Sequence, residues 1–328
     1  MMKQRLLIIG ALILLLAIIG YMVVDLFFTG RDKRENLYDY RLSELRQTDS
    51  TPVAYREILH FTPGLSDLHG IAVDDSDRIY VTGSSSLEIY TPDGNLMLAF
   101  SLPDPAYCLT VAPGGDLLLG MEDHLEILSP EGELISRWKP EGEHVFLTSV
   151  VTNGKDIFIA DAGEKNVSRY NWEGVLLNRI GDKDSLQGIP GWVIPSGYFD
   201  LGLGRDDELW VVNPGRHQLE AFRPDGSLIS IWGESSMDVE GFCGCCNPTH
   251  FALLSDGSFV TGEKGIERVK IYRPSGEFNC LVAAPDQFDE GTRGLDLAVD
   301  SKDRILVLDP SRNQVRIFVY KDENDENR

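Results

Sequence analysis

The chain has 328 residues, a formal net charge of −22 and five cysteines. A body this acidic repels phosphate backbones, which argues against nucleic acid as a partner; solubility is its simplest use. The length admits two ordinary domains or one large repeat domain.

Lys3 and Arg5 precede an unbroken apolar run from Leu6 to Val24, 19 residues long. At about 1.5 Å per residue it spans roughly 28 Å, close to the hydrocarbon core of a bilayer. The run passes into Asp25-Leu-Phe-Phe28 with neither an Ala-x-Ala-like cleavage site nor a cysteine to lipidate. Residues 1–30 therefore read as a retained single-span transmembrane anchor, with a signal peptide as the alternative. Basic residues flank both ends (Lys3 and Arg5 before, Arg31, Lys33 and Arg34 after), so the positive-inside rule does not fix the orientation. A large folded domain behind such an anchor is expected outside the cytoplasm. Residues 31–52 are charged, carry Leu37, Tyr40, Leu42 and Leu45 at rough helical spacing, and end at Thr51-Pro52, where proline blocks a helix. They read as a stalk.

A recurrence governs residues 53–320. An apolar run ends in a tight polar turn at Tyr90-Thr-Pro-Asp-Gly94, Leu128-Ser-Pro-Glu-Gly132, Tyr170-Asn-Trp-Glu-Gly174, Phe222-Arg-Pro-Asp-Gly226 and Tyr272-Arg-Pro-Ser-Gly276. A sixth run ends at Phe318, and these anchors lie 38, 42, 52, 50 and 46 residues apart. A period of about 40–50 residues holding several short strands is that of a β-propeller. The first unit shows the pattern: residues 70–73 as inner strand, an Asp-rich turn, residues 78–82, residues 87–90, the Pro-Asp-Gly turn and residues 96–100. The sixth unit supplies strands at residues 295–299, 305–308 and 315–318 and then runs out. Residues 55–61 have the length and pattern of its missing fourth strand, and pairing them there would close the ring and remove an open edge. The expected fold is all-β, a six-bladed β-propeller closed by an N-terminal strand, followed by a disordered acidic tail at residues 321–328.

Unit six, Gly294-Leu-Asp-Leu-Ala-Val-Asp300 with Arg304-Ile-Leu-Val-Leu-Asp309 and Asn313-Gln-Val-Arg-Ile-Phe318, resembles an NHL repeat. Unit three is similar in Asp156-Ile-Phe-Ile-Ala-Asp161 and Asn166-Val-Ser-Arg-Tyr170. The resemblance covers roughly residues 53–320. It implies an NHL-type propeller, a family whose members serve as lyases, lactonases, RNA binders and interaction platforms.

Three loops joining one unit to the next are long, at residues 181–197, 233–248 and 284–293, and long loops on a rigid scaffold carry function. The first contains Trp192 among prolines and glycines, suited to a lip over a pocket or to a cap between blades three and four. The second contains Phe242-Cys-Gly-Cys-Cys-Asn-Pro-Thr-His250. Cys243 and Cys246 have the spacing of a redox disulfide or of two soft metal ligands, and Cys245 and His250 stand close enough in sequence to add to a metal ion or an iron–sulfur centre. A disulfide that pins the loop in an oxidising compartment is equally consistent. The adjacent Cys245 and Cys246 are expected to point apart. A c-type haem is discounted, because Asn247 stands where its histidine would be. Cys108 and Cys280 fall in strands as buried filler.

Aligning Val73 with Leu254 places His69 opposite His250, with Tyr107, Leu147, Phe199 and Leu295 at the same level. Asp200 and Asp296 follow one step on, and Arg293 precedes the last inner strand. Two histidines, an arginine and carboxylates around one channel mouth could hold a metal and polarise a substrate oxygen. The NHL-like amidating lyases and the virginiamycin-type lyases are propellers with histidines near a channel metal, so the resemblance implies the same use here for His69 and His250. His60, His124, His144 and His217 have no partner that the sequence names, and no phosphate-binding loop or Ser-His-Asp signature occurs.

The first reading is a membrane-anchored binding platform that engages a protein or small-molecule ligand through its long-loop face. One alternative is a metal-binding or redox-active protein centred on the cysteine loop. The other is a metal-dependent lyase or lactonase using the channel histidines.

Overall fold

The structure, a computed structural model, describes Gly10, residues 14–21, Arg46 and residues 53–321. It divides into two units, residues 1–44 and residues 45–328. In the first, Gly10 and residues 14–21 are helical, and no helix among the described residues is long and apolar enough to cross a membrane. The rest of the expected anchor, all of the expected stalk but Arg46, and the tail from residue 322 onward lie outside the described residues.

In the second unit the strands form six antiparallel four-stranded sheets. Blade one runs Gly70–Val73, Ile79–Gly83, Ser86–Tyr90 and Leu96–Ser101. The first strands of successive blades touch in cyclic order, with Leu297–Val299 of blade six returning to Gly70–Val73, so they ring a central channel. Second strands such as Ile79–Gly83 and Leu209–Asn213 are buried along their whole length. That is why they read as short unbroken apolar runs rather than as alternating ones. Fourth strands such as Leu96–Ser101 are mostly exposed. The apolar core accordingly lies in six wedges between neighbouring blades. One wedge joins Val260, Ile271 and Cys280 of blade five to Val307 and Phe318 of blade six.

The expected closure is present. Tyr55–Phe61 pairs antiparallel with Gln314–Tyr320, with Tyr55 opposite Tyr320 and Phe61 opposite Val315. The edge that blade six would otherwise expose is thereby covered. Arg46, in the segment expected as a spacer, donates to the carbonyls of Pro285 (2.7 Å) and Phe288 (3.3 Å) and pairs with the buried Glu267.

The turn glycines of the recurrence explain themselves in this setting. Gly276 has φ +83°, and a Cβ there would lie 2.7 Å from the ring of Trp232, on the outer strand of blade four. Gly94 stands in the same relation to Phe61 of the closing strand, at 2.5 Å. Each such blade lays an outer-strand aromatic across the next blade's turn. Replacing Gly276 with alanine is expected to lower stability by about 1–2 kcal/mol from the left-handed backbone alone, before Trp232 is displaced. An unchanged urea midpoint would contradict this lock.

Blade five holds the loop from Trp232 to His250 from beneath. Lys270, wholly buried, donates to the carbonyls of Val239 (3.0 Å) and Gly241 (2.7 Å) and pairs with Glu263. Its ammonium lies 4.5 Å from the Phe242 ring centre and 5.0 Å from that of Tyr272, whose hydroxyl donates to the Glu240 carbonyl (2.9 Å). All five cysteines are free thiols, so polar contacts rather than a disulfide fix this loop. Trp192 takes the cap position: its ring N–H donates to the Ile180 carbonyl (3.1 Å), and it packs edge-on against Phe199 and Phe222 between blades three and four.

Candidate functional site in the central channel

The level of each side chain in the channel follows from strand pairing. Val73, Val111, Thr152, Leu203, Leu253 and Val299 close the six inner strands opposite Ile79, Leu117, Ile157, Leu209, Phe259 and Ile305. Counting back from these ends, one layer holds Gly70, Cys108, Ser149, Asp200, His250 and Asp296. The expected pairing of His69 with His250 is therefore off by one: the strand of blade five ends at Leu253, and Leu254 already belongs to the turn, bonded to Ser258. His250 is level with the two aspartates, and His69 lies one step nearer the mouth, beside Tyr107.

Among the described residues, Asp200, His250 and Asp296 are the one group of three histidine, cysteine or carboxylate side chains whose ligand atoms lie within 4.8 Å of one another. The His250 Nδ1 is 3.4 Å from Asp296 Oδ1 and 3.8 Å from Asp200 Oδ2. That nitrogen is buried and has no hydrogen-bond partner. Asp200 accepts from the backbone N–H groups of Leu201 and Phe251, both at 2.9 Å. Asp296 accepts from Leu297 (2.8 Å) and Ile71 (2.9 Å). Through Phe251 and Ile71 the two carboxylates also tie blade four to five and blade six to one. Each oxygen accepts one N–H and retains a second lone pair.

Burial dominates the electrostatics of this layer. It pushes the Asp200 carboxyl up to about 6, with His250 opposing and Asp296 adding to the rise, and it raises Asp296 as well. The folded value of Asp200 lies above the ordinary 3.8, so folding favours its protonated form. Its contribution is intact below about pH 4 and is lost as pH rises through about 6, a loss of roughly 3 kcal/mol at most. Without added cation, the unfolding midpoint is expected to fall across this window, and Asp200→Asn should flatten the fall. An identical pH profile for the variant would contradict it.

Above this layer the mouth is a cavity of about 370 Å³ lined by His69, Tyr107, Phe146, Tyr198, His250 and Arg293, among others. His69 stacks on Tyr107 at 4.7 Å, and Phe146 meets Tyr107 edge-on at 5.2 Å. The His69 Nδ1 faces the Ala106 carbonyl at 3.3 Å, so it carries the proton and leaves Nε2 as the basic nitrogen. Burial lowers the His69 pKa, which keeps the ring neutral at pH 7. Tyr198 lies edge-on to His250 and beneath the ammonium of Lys264, 4.8 Å from its ring centre. Arg293 is exposed and makes no ion pair among the described residues. A larger cavity of about 680 Å³ opens at the opposite face, but it is lined by turn carboxylates such as Asp75, Asp206 and Asp256 and holds no histidine.

The cysteine loop is arranged differently from expectation. His250 turns to the channel aspartates and not to the thiols. Cys243 is buried with its thiol 3.7 Å from the Glu263 carboxylate. Cys245 and Cys246, expected to diverge, bring their sulfurs to 3.2 Å. His217 proves to have a partner here, the Gly244 carbonyl at 2.8 Å. Tyr198, Lys264 and Phe146 were not singled out by the sequence; each is a single residue outside the strands and belongs to no motif.

No family model matches the sequence, and no curated protein matches it. Solved structures do resemble it. A streptogramin B lyase structure is 12% identical, with a TM-score of 0.57 over 83% of this chain and 100% of that one. A catalytically inactive histidine-to-alanine variant of virginiamycin B lyase from Staphylococcus aureus, with Quinupristin, is 16% identical, with a TM-score of 0.53 over 80% and 84%. A protein of unknown function from Bacteroides caccae is 13% identical, with a TM-score of 0.53 over 68% and 84%. At such identities the likeness is one of fold.

Proposed function

We propose that this chain is a ligand-binding propeller whose channel holds a divalent cation on Asp200, His250 and Asp296 and whose mouth takes a small molecule bearing a carboxylate or carbonyl oxygen. The observation that carries this reading is the orphaned Nδ1 of His250 between two buried carboxylates. Ligand bonds of about 2.0–2.2 Å put tetrahedral donors roughly 3.4 Å apart, near the separations in this layer. Two carboxylates and an imidazole suit Mg²⁺, Mn²⁺ or Zn²⁺. Two carboxylates buried this close together are costly when both are charged unless a cation joins them. Arg293 is placed to meet the charge of an anionic ligand, and the aromatic wall of Tyr107, Phe146 and Tyr198 suits an apolar or aromatic body.

The test uses simple aromatic carboxylates (benzoate, phenylacetate, cinnamate) titrated into the full chain with Mn²⁺ present. Binding should need the cation and weaken about tenfold in Arg293→Gln, as for loss of one charge-assisted contact. Binding indifferent to both the cation and Arg293 would sink the proposal.

A second reading, a lyase or lactonase step at the same mouth, is favoured by His69, whose free Nε2 is a neutral base beside the proposed cation. Elimination needs such a base to take a proton next to an oxygen polarised by the metal. The streptogramin and virginiamycin lyases lend this reading their fold only.

The apolar run from Leu6 to Val24 is proposed as a single-span anchor with the propeller outside the cytoplasm. Deleting residues 1–28 should move the protein from the membrane to the soluble fraction, and a truncation that still sediments with membranes would refute the anchor.

A further inference from the structure

We propose that Cys245 and Cys246 form a vicinal thiol–disulfide exchange pair that reacts with small-molecule disulfides and thiols. Their sulfurs lie 3.2 Å apart, and the two thiols differ in access: Cys245 is exposed, whereas Cys246 is buried. The backbone around the pair is fixed from three sides. The Asn247 side chain donates to the carbonyls of Cys243 (2.7 Å) and Lys264 (2.9 Å), Lys264 N–H donates back to Asn247 Oδ1 (3.0 Å), and His217 bonds Gly244 (2.8 Å). Lys264 and Ser196, whose ammonium and hydroxyl are 3.5 Å apart, both hydrogen-bond to the Cys246 thiol. Burial alone would raise the Cys246 thiol, but hydrogen bonds from Lys264, Ser196 and Cys245 bring it below its usual value. Cys243 is no competitor: burial and then the Glu263 carboxylate push its thiol up to about 11.

This division of labour suits exchange. The exposed Cys245 sulfur attacks one sulfur of a disulfide R–S–S–R, forming Cys245–S–S–R and releasing RS⁻, which takes the proton that Cys245 gives up. The Cys246 thiolate then attacks the Cys245 sulfur, closes the vicinal disulfide and releases a second RS⁻, which takes its proton from water. Two electrons pass from the pair to the small disulfide, and two RSH leave. In reverse, an external thiol attacks the exposed sulfur and Cys246 departs as a thiolate stabilised by Lys264 and Ser196. A leaving thiol of lowered pKa leaves faster.

The full chain, reduced and then equilibrated with glutathione disulfide, tests this by peptide mass mapping. The peptide carrying Cys245 and Cys246 should lose two hydrogens while Cys243 stays reduced, and dithiothreitol should restore it. Cys246→Ser should stop at a stable glutathione adduct on Cys245. Lys264→Gln, checked for folding by circular dichroism, should slow reductive opening by about tenfold. Three results would each overturn the proposal: a pair that stays reduced in excess glutathione disulfide, a Cys246→Ser protein that traps no adduct, or bound zinc that shields both thiols from the disulfide.

Discussion

Replacing Lys270 with methionine is expected to destabilise the propeller by about 3–5 kcal/mol, the usual consequence of removing one partner from a buried ion pair. The side chain is 0% exposed, and its ammonium serves five groups at once: the Glu263 carboxylate, the carbonyls of Val239 and Gly241, and the faces of Phe242 and Tyr272. Methionine fills the volume but leaves two carbonyls without the ammonium donor and Glu263 with Arg268, at 3.1 Å, as its remaining cationic partner among the described residues. The loss falls on one place. Residues 239–243 rest on this contact, so the loop should loosen before the ring does. Alkylation of Cys243, now buried against Glu263, should accelerate well beyond the change in global stability. A variant with an unchanged unfolding midpoint and an unchanged Cys243 labelling rate would show that the loop holds by other means.

The second large effect concerns the channel. Asp200→Asn, Asp296→Asn and His250→Ala should each lower divalent-cation affinity by roughly a hundredfold or more, since even outer partners of metal ligands are worth about 10–100-fold. The three variants differ in their side effects, which separates a cation site from a purely structural cluster. Asparagine keeps one oxygen, enough to accept from the inter-blade N–H of Phe251 or of Ile71, so the blades stay tied while the charge goes and the N–H of Leu201 or Leu297 loses its acceptor. His250→Ala removes no inter-blade hydrogen bond and tests the donor alone. His69→Ala should spare the cation, because His69 stands one level nearer the mouth and bonds Ala106.

The blade architecture was legible because its signals are local. The turn glycines of the first five units all adopt positive φ, and four of them, Gly94, Gly132, Gly174 and Gly276, lie beneath a neighbouring blade's aromatic, so the demand recurs in the sequence. The closing strand at residues 55–61 was legible for the same reason, by length and by the incomplete sixth unit. The channel was legible by residue type but not by level. Asp200, His250, Asp296 and His69 were all recognised, yet the run Phe251-Ala-Leu-Leu254 does not say which leucine ends the strand, and a slip of one residue moves a side chain to another layer. The cysteine loop was the least legible part. Which thiols meet depends on Lys270, Asn247 and Lys264, contacts supplied by blade five and its edge and absent from the spacing of the cysteines themselves.

The most direct test of the cation site is calorimetric titration of the full chain, freed of metal by chelation, with Mn²⁺, Mg²⁺, Ca²⁺ and Zn²⁺ at pH 7.5. One equivalent of at least one of these ions should bind to the native protein and to His69→Ala, and not to Asp200→Asn or Asp296→Asn. Absence of binding to the native protein, or binding that persists when both aspartates are replaced, would contradict it.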